Sequence, residues 1–362
     1  MLARLAASFA IVATVLPGPA PAADEAAVQA AITRAYTFLA KAQDETGSFK
    51  PDLGPAVTGL AITGLVRSGT PADDPVVNKA LAYLLTFRQP DGGIYSPDSP
   101  VANYETSIAM LALAACNAEG RLDDEIDGAV KFVKKIQWDD GEGKPESDPA
   151  FGGAGYGKKS RPDLSNTAFM IEALRTVGES ESDPAIQRAL VFVSRAQNLP
   201  GPHNPLPFPE KNPDGGFYYT PANGGESQAG TTENGGLRSY ASMTYAGLKS
   251  MIFAGLKADD PRVKAATEWL KKHYTFEENP GMGQAGLFYF YHTASKALGV
   301  LGGDTFTDAA GKSHDWRDEL TTAIVSRQRE DGSWANANER WMEGEPVLTT
   351  AYALLALANC RK

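Results

Sequence analysis

Four polar residues lie in segments that are otherwise apolar, and their types suit proton chemistry. Asp163 and Asn166 lie close together, while His292 and Glu105 occupy two other segments of the same kind. Burying a charge without a partner costs several kcal/mol, so such residues usually have a reason to be there. We predict that Asp163, Asn166, His292 and Glu105 transfer or orient protons if the protein is a catalyst.

A second group of residues, at or near the starts of these segments, could form the wall of a ligand site. It contains five aromatic and two hydroxyl residues: Tyr104, Ser165, Tyr240, Tyr289, Tyr291, Trp341 and Thr349. Glycine-rich stretches at 152–156, 224–225 and 281–283 accompany them. If the segments form a ring, their starts meet at one mouth, and this rim is the predicted site.

Each candidate also has a structural explanation. Asp163 follows a proline and could cap the N-terminus of a helix. Glu105, in a first turn, could complement the helix dipole. His292 could be a hydrogen-bonded core residue, and the aromatic residues could serve packing alone. The sequence leaves both explanations open for every member of the set.

The segments that carry these residues recur six times and align without gaps over nine residues. They are rich in Ala, Thr and Leu and apolar on nearly every face, which is typical of helices buried all round. They span 57–65, 105–113, 166–174, 240–248, 290–298 and 349–357. The stretch 286–291 resembles a strand on its own, but it is in register with these helices, so we predict a helix there.

Amphipathic helices alternate with the apolar ones, and most of them close on a glutamine. The glutamines are Gln43, Gln89, Gln137, Gln197 and Gln328, and His273 takes this place after a helix over 261–274. Turns rich in Gly and Asp follow at 43–49, 89–95, 137–141 and 328–334, and the matching turn after Gln197 comes late, at 214–217. Six outer and six inner helices are therefore predicted.

Six helical hairpins can form an open superhelix or a closed ring. Closure covers both end repeats and explains why neither end carries an obvious polar capping repeat. We therefore predict an all-α fold, an α6/α6 toroid, as a single domain over residues 23–362. In such a ring Cys116 and Cys360 lie on inner helices that a third helix separates, so we expect two free, buried thiols.

Charge and the N-terminal residues limit the partners and the location. The 362 residues carry a net charge of −10 and no basic run, which makes a nucleic-acid partner a poor hypothesis. Residues 1–22 combine Arg4, an apolar run and the small-residue site Ala20-Pro21-Ala22, as a secretory signal peptide does. We expect an exported protein, periplasmic or secreted, with no stable membrane insertion after cleavage.

The Gln-x-x-x-Gly-x-aromatic turns, most complete at Gln328–Trp334, and the alternating helices resemble the squalene-hopene cyclase and protein prenyltransferase repeat superfamily. The resemblance covers essentially the whole chain after the signal peptide. It implies an α/α toroid whose apolar central cavity holds an isoprenoid. Because the scaffold carries unrelated functions, it specifies the fold more strongly than the activity.

Two local stretches allow a comparison with that superfamily by residue. Residues 162–168 resemble the Asp-x-Asp-Asp-Thr-Ala motif of the cyclases, but Ser165 replaces the proton-donating second Asp and Asn166 the third. A serine hydroxyl is too weak an acid to protonate an alkene. Tyr291-His292-Thr293 resembles a segment that gives a zinc ligand in the prenyltransferases, yet a single His cannot hold zinc. We predict no metal and no cofactor.

These observations favour binding of a small apolar, isoprenoid-like ligand, either by a binding protein or by a divergent terpenoid cyclase or transferase. A second hypothesis is a carbohydrate-active enzyme, a glycoside hydrolase or lyase with a glycan substrate. Glu105 and Asp163, on adjacent inner helices, could supply the two carboxylates that a glycosidase needs. A third is a protein-interaction scaffold, which would have a shallow, well-solvated centre.

Overall fold

The computed structural model describes residues 25–361, and it confirms the all-α prediction. In this range the helices are α1 (Glu25–Ala42), α2 (Gly54–Arg67), α3 (Pro75–Leu85), α4 (Ala102–Cys116), α5 (Asp123–Lys135), α6 (Leu164–Thr176), α7 (Pro184–Arg195), α8 (Phe208–Lys211), α9 (Ala241–Phe253), α10 (Pro261–Lys272), α11 (Leu287–Leu301), α12 (Trp316–Val325) and α13 (Pro346–Cys360). One antiparallel hairpin pairs β1 (Phe306–Thr307) with β2 (Ser313–His314). The predicted signal peptide, 1–22, lies outside the described residues.

The six apolar helices form a closed ring. Helices α2, α4, α6, α9, α11 and α13 each pack on the next, and α13 packs on α2. The outer helices α1, α3, α5, α7, α10 and α12 lie against this ring. The predicted α6/α6 toroid is therefore confirmed, including its closure.

Burial patterns explain which helices lie inside. Every residue from Pro55 to Leu65 of α2 is buried, as expected for a helix surrounded by others. In α1 the buried residues are spaced three or four apart, so only one face contacts the protein. The stretch 286–291 forms the start of α11, which confirms the predicted helix.

A glutamine fastens each of four turns to the outer helix of the next repeat. Its Nε2 donates one hydrogen bond to the carbonyl of a turn glycine and another to a carbonyl of that helix. The pairs of acceptors are Gly47 and Val76 for Gln43, Gly152 and Ala185 for Gln137, Gly215 and Arg262 for Gln197, and Gly332 and Ala31 for Gln328. Because Ala31 belongs to α1, the last turn fastens the end of the chain to its beginning.

The predicted equivalence of turn 137–141 to the other turns is wrong. Gly152, rather than Gly141, accepts the hydrogen bond from Gln137. Asp139 instead caps a separate 3-10 turn, Asp140–Glu142. An insertion between the glutamine and its glycine brought an unrelated pair, Asp140-Gly141, into the expected spacing, and spacing alone cannot distinguish Gly141 from Gly152.

The two cysteines lie at the ends of α4 and α13, and α2 packs against both of these helices. Cys116 and Cys360 are buried and free, which confirms the prediction. Within residues 25–361, every helix is too short or too polar to cross a bilayer.

Candidate functional site

A cavity of about 350 Å³ lies at the end of the ring where the inner helices begin. Leu53, Val57, Met243 and Leu348 contribute aliphatic surface to its wall. Six tyrosines also line it: Tyr104, Tyr156, Tyr219, Tyr240, Tyr289 and Tyr352. The cavity is therefore mainly apolar and aromatic, with hydroxyl groups set into its wall.

The structure brings six of the eleven predicted site residues to this cavity. They are Tyr104, Glu105, Ser165, Tyr240, Tyr289 and Trp341. The other five do not line it: Asp163, Asn166, Tyr291, His292 and Thr349. The starts of the inner helices do meet at one mouth, but several of the polar residues there point elsewhere.

Five hydroxyl residues in the wall form what we call the hydroxyl band: Tyr104, Ser165, Tyr240, Tyr289 and Tyr352. The hydroxyls of Tyr104 and Tyr352 lie 3.3 Å apart, and those of Ser165 and Tyr289 lie 2.8 Å apart. The rings of Tyr289 and Tyr352 are in edge contact, with centroids 6.0 Å apart, which joins the two pairs. The band thus runs along α4, α13, α11 and α6 to the start of α9.

Glu105 is one of two carboxylates in the wall, and loop residues hold it. Its oxygens accept hydrogen bonds from the backbone N–H of Ser96 at 3.2 Å and from the Ser96 hydroxyl at 3.4 Å. The side chain is 3% exposed, and burial raises the pKa of the carboxyl. Glu105 is thus fixed on one side and faces the cavity on the other.

Glu343, the second carboxylate, was not predicted from the sequence. One oxygen accepts the backbone N–H of Tyr289 at 2.8 Å, and the other accepts Nδ2 of Asn336 at 2.7 Å. Helix α11 begins after Gly286, which has no capping side chain, so Glu343 caps it from a distant loop. Burial raises the pKa of Glu343, although these hydrogen bonds favour its charged form. Nothing near position 343 indicates this partner, which lies 54 residues earlier.

Asp163 caps α6. Its oxygens accept hydrogen bonds from the backbone N–H of Asn166 at 2.9 Å and from Nδ2 of Asn166 at 2.8 Å. The residue is 2% exposed, and burial raises its pKa to about 6 although hydrogen bonds from Asn166 and Tyr219 favour the charged form. The sequence left open whether Asp163 handles protons or caps a helix, and the structure shows the helix cap.

This raised pKa predicts how Asp163→Asn changes stability with pH. A carboxyl whose folded pKa lies above its unfolded value stabilises the fold below about pH 4 and loses that contribution as pH rises through about 6. Asparagine is also a good N-cap, and its amide can donate to Oδ1 of Asn166, which is buried without a partner. At pH 7.5 we expect the variant to be more stable than wild type by about 2–3 kcal/mol.

Urea unfolding of both proteins at pH 3.5 and 7.5 measures this difference. At pH 3.5 the two free energies of unfolding should agree closely. An equal difference at both pH values would contradict the assigned pKa.

His292 lies in the core beside the cavity rather than in its wall. Its ring stacks on Phe169 and Tyr352, with centroids 5.9 and 5.8 Å apart. Neither ring nitrogen has a hydrogen-bond partner among residues 25–361. His292 is therefore a core residue, but not the hydrogen-bonded one that the sequence suggested. Burial lowers the pKa of His292 to about 3, which keeps the ring neutral.

A buried ion cluster lies one turn further along the ring axis. Glu172 Oε2 pairs with Lys249 Nζ at 2.5 Å, and its Oε1 lies 3.8 Å from Lys296 and 3.9 Å from Arg67. Burial alone would raise the pKa of Glu172, but the surrounding cations hold it well below its usual range. The signal for this cluster was present in the sequence, because Glu172 and Lys296 are charges inside apolar segments.

The remaining predicted residues have structural contacts. Tyr291 donates its hydroxyl proton to the carbonyl of Phe276 at 2.7 Å, away from the cavity. Thr349 donates to the carbonyl of Glu343 at 2.8 Å and so holds the loop before α13. No group of three or more His, Cys, Asp or Glu side chains that could hold a metal occurs in the described part of the chain.

Sequence comparison matches residues 51–218 to the squalene-hopene cyclase C-terminal domain. This part of the chain is similar to that domain. No curated protein sequence matches it significantly.

Several solved structures share the fold of this chain. The type II terpene cyclase MstE from Scytonema, without ligand, is 14% identical over 92% of this chain and 97% of that one, with a TM-score of 0.57. A variant of that cyclase in complex with its product, merosterolic acid A, has the same identity and coverage and a TM-score of 0.55. A protein from Actinoplanes is 16% identical over 92% of this chain and 99% of that one, with a TM-score of 0.53. At these identities the likeness establishes the fold.

Proposed function

We propose that the protein binds an apolar, isoprenoid-like ligand in its central cavity. The observation that carries this proposal is the wall of tyrosine, aliphatic and methionine side chains around the cavity at the mouth of the ring. Its volume of about 350 Å³ falls within the range of about 300–1,000 Å³ for small-molecule sites. The fold supports it too, because a structural neighbour holds a product called merosterolic acid A.

We further propose that the protein binds this ligand without cyclising it, because the proton-donating acid of the cyclases is absent. Ser165 occupies the place of that acid in the motif, and its hydroxyl pairs with Tyr289. The carboxylates that line the cavity, Glu105 and Glu343, already accept hydrogen bonds from loop or helix groups. A proton donor strong enough for an alkene needs a desolvated acid without such acceptor roles.

The glycan hypothesis has less support. It paired Glu105 with Asp163, but Asp163 caps α6 and does not line the cavity. The scaffold hypothesis requires a shallow, solvated centre, and it gains no support from a cavity of about 350 Å³ with a mainly apolar wall.

The proposal includes location and domain organisation. We propose that residues 1–22 are a signal peptide, that residues 23–362 form one toroid domain, and that the protein is exported. The support is the order of Arg4, an apolar run and Ala20-Pro21-Ala22 in the sequence.

Native mass spectrometry tests binding directly. After incubation with farnesol, geranylgeraniol or squalene, wild type should take up one molecule of at least one of them. Met243→Trp should lose this uptake, because Met243 lines the cavity and a larger side chain fills it. Lys264→Trp, at an exposed position on α10, is the matched control and should bind like wild type. No uptake of any of the three by wild type would contradict the proposed function.

A further inference from the structure

The hydroxyl band contains a donor that the protein leaves unused. Tyr240 is 2% exposed and lines the cavity, yet its hydroxyl makes no hydrogen bond to any residue in the range 25–361. Its neighbour across the wall is Tyr289. Burial and the proximity of Tyr289 both raise the pKa of Tyr240. A buried phenol normally finds a partner. Because Tyr240 also lines the cavity, its unused donor is available to a molecule that enters the cavity.

The two hydroxyl pairs of the band also retain donor capacity. In a pair of hydroxyls one O–H donates to the other oxygen, and the second O–H remains free. This applies to Tyr104 with Tyr352 and to Ser165 with Tyr289. Together with Tyr240, the band offers three O–H donors to the contents of the cavity.

These phenols keep their protons. Burial raises the pKa of Tyr104 to about 12 and raises that of Tyr240 and Tyr289 further. All three are therefore neutral at any physiological pH and act as hydrogen-bond donors. A ligand that complements them must bring acceptor atoms.

A pure hydrocarbon would be a poor match for such a wall. On entering, it would displace water from the three donors and leave them buried without partners, which is unfavourable. A site built to hydrogen-bond a ligand oxygen discriminates strongly against the analogue that lacks it. The apolar side chains Val57, Met243 and Leu348 would contact a hydrocarbon chain equally well in either case.

We infer that the ligand is an oxygenated isoprenoid, whose hydroxyl or carbonyl oxygen accepts hydrogen bonds from Tyr240 and from the Ser165–Tyr289 pair. This inference rests on the proposed function and makes it narrower. The oxygen lies against the starts of α6, α9 and α11, and the hydrocarbon chain lies against α2 and α13. The isoprenoid hydrocarbons without oxygen, such as squalene, are then weak ligands.

A matched pair of ligands tests this inference by calorimetric titration. The pair is farnesol and the hydrocarbon of the same skeleton in which hydrogen replaces the hydroxyl. Farnesol should bind wild type about 10–100-fold more tightly. Tyr240→Phe should weaken farnesol binding about 5–10-fold and leave the affinity for the hydrocarbon within about twofold.

Tyr245→Phe is the matched control. Tyr245 lies on α9 as well, is 2% exposed, makes no hydrogen bond through its hydroxyl in the described structure and does not line the cavity. Both affinities should stay as in wild type.

The outcomes separate the inference from the proposed function. Equal affinities of wild type for the two ligands would overturn the inference and leave the proposed function standing. Absence of binding for both would overturn the inference, and if geranylgeraniol and squalene are not taken up either, the proposed function falls with it. Since the comparison of ligands on wild type needs no variant, it decides the matter even if Tyr240→Phe folds poorly.

Discussion

Gly332→Ala should destabilise the protein by about 3–5 kcal/mol. Gly332 has a φ of +88°, which disfavours any side chain, and a Cβ there would lie 2.5 Å from the carbonyl oxygen of Arg34. Arg34 belongs to α1, so the new methyl group would push the last turn away from the first helix. It would also strain both hydrogen bonds from Gln328. Urea unfolding measures the loss.

Gly311→Ala provides the control for backbone strain alone. Gly311 has a similar φ of +82°, but nothing lies within 4 Å of its Cβ position. Its substitution should cost only about 1–2 kcal/mol. Hydrogen exchange should show faster opening of α1 in Gly332→Ala and not in Gly311→Ala. Equal losses in the two variants would show that the contact with Arg34 does not matter.

Lys249→Met should cost about 3–5 kcal/mol of unfolding free energy, because it removes one partner of a buried ion pair. Glu172, fully buried, would keep only Lys296 and Arg67 at 3.8 and 3.9 Å. Its carboxylate would then be buried without a close counter-charge. Chemical unfolding at pH 7 measures the effect.

The matched control is Lys271→Met on α10, which removes an exposed ion pair with Glu268. Exposed pairs contribute about 0–1 kcal/mol, so this change should be nearly neutral. The double variant Lys249→Met with Glu172→Leu should recover part of the lost stability, since the buried carboxylate is gone but Lys296 and Arg67 lose their counter-charge. If Lys249→Met is as mild as Lys271→Met, the cluster does not stabilise the fold.

The fold was predictable because its determinants are periodic. Apolar residues on every face define the inner helices, and a one-sided stripe defines the outer ones, so both classes can be read without tertiary information. The glutamine turns recur at similar spacing and mark the repeats. The one misplaced turn, at 137–141, failed because an insertion separates Gln137 from Gly152.

The cavity wall was only partly predictable. In most repeats the residue one position before the aligned segment lines the cavity, as Tyr104, Ser165 and Tyr289 do. One helical turn later the same face carries Phe169, Met243 and Tyr352, which the alignment could have indicated. Asn166 and Thr349 are first residues of their segments, and in the structure they point away from the cavity.

Two loop residues of the wall, Tyr219 and Glu343, were not predicted from the sequence, whereas Tyr156 ends the glycine-rich stretch 152–156 that was predicted at the rim. Tyr156, Tyr219 and Glu343 reach the wall from connections between helices. Connections have no period from which a direction can be inferred, so where their side chains end depends on tertiary packing.

Closure of the inner ring bears on how the protein unfolds. Six inner helices share six helix-to-helix interfaces, because α13 meets α2, whereas an open array of six repeats would have five. An open array can fray from either end, one repeat at a time. In the closed ring no repeat is terminal, and removal of any repeat uncovers two apolar faces at once. The toroid should therefore unfold as a single cooperative unit.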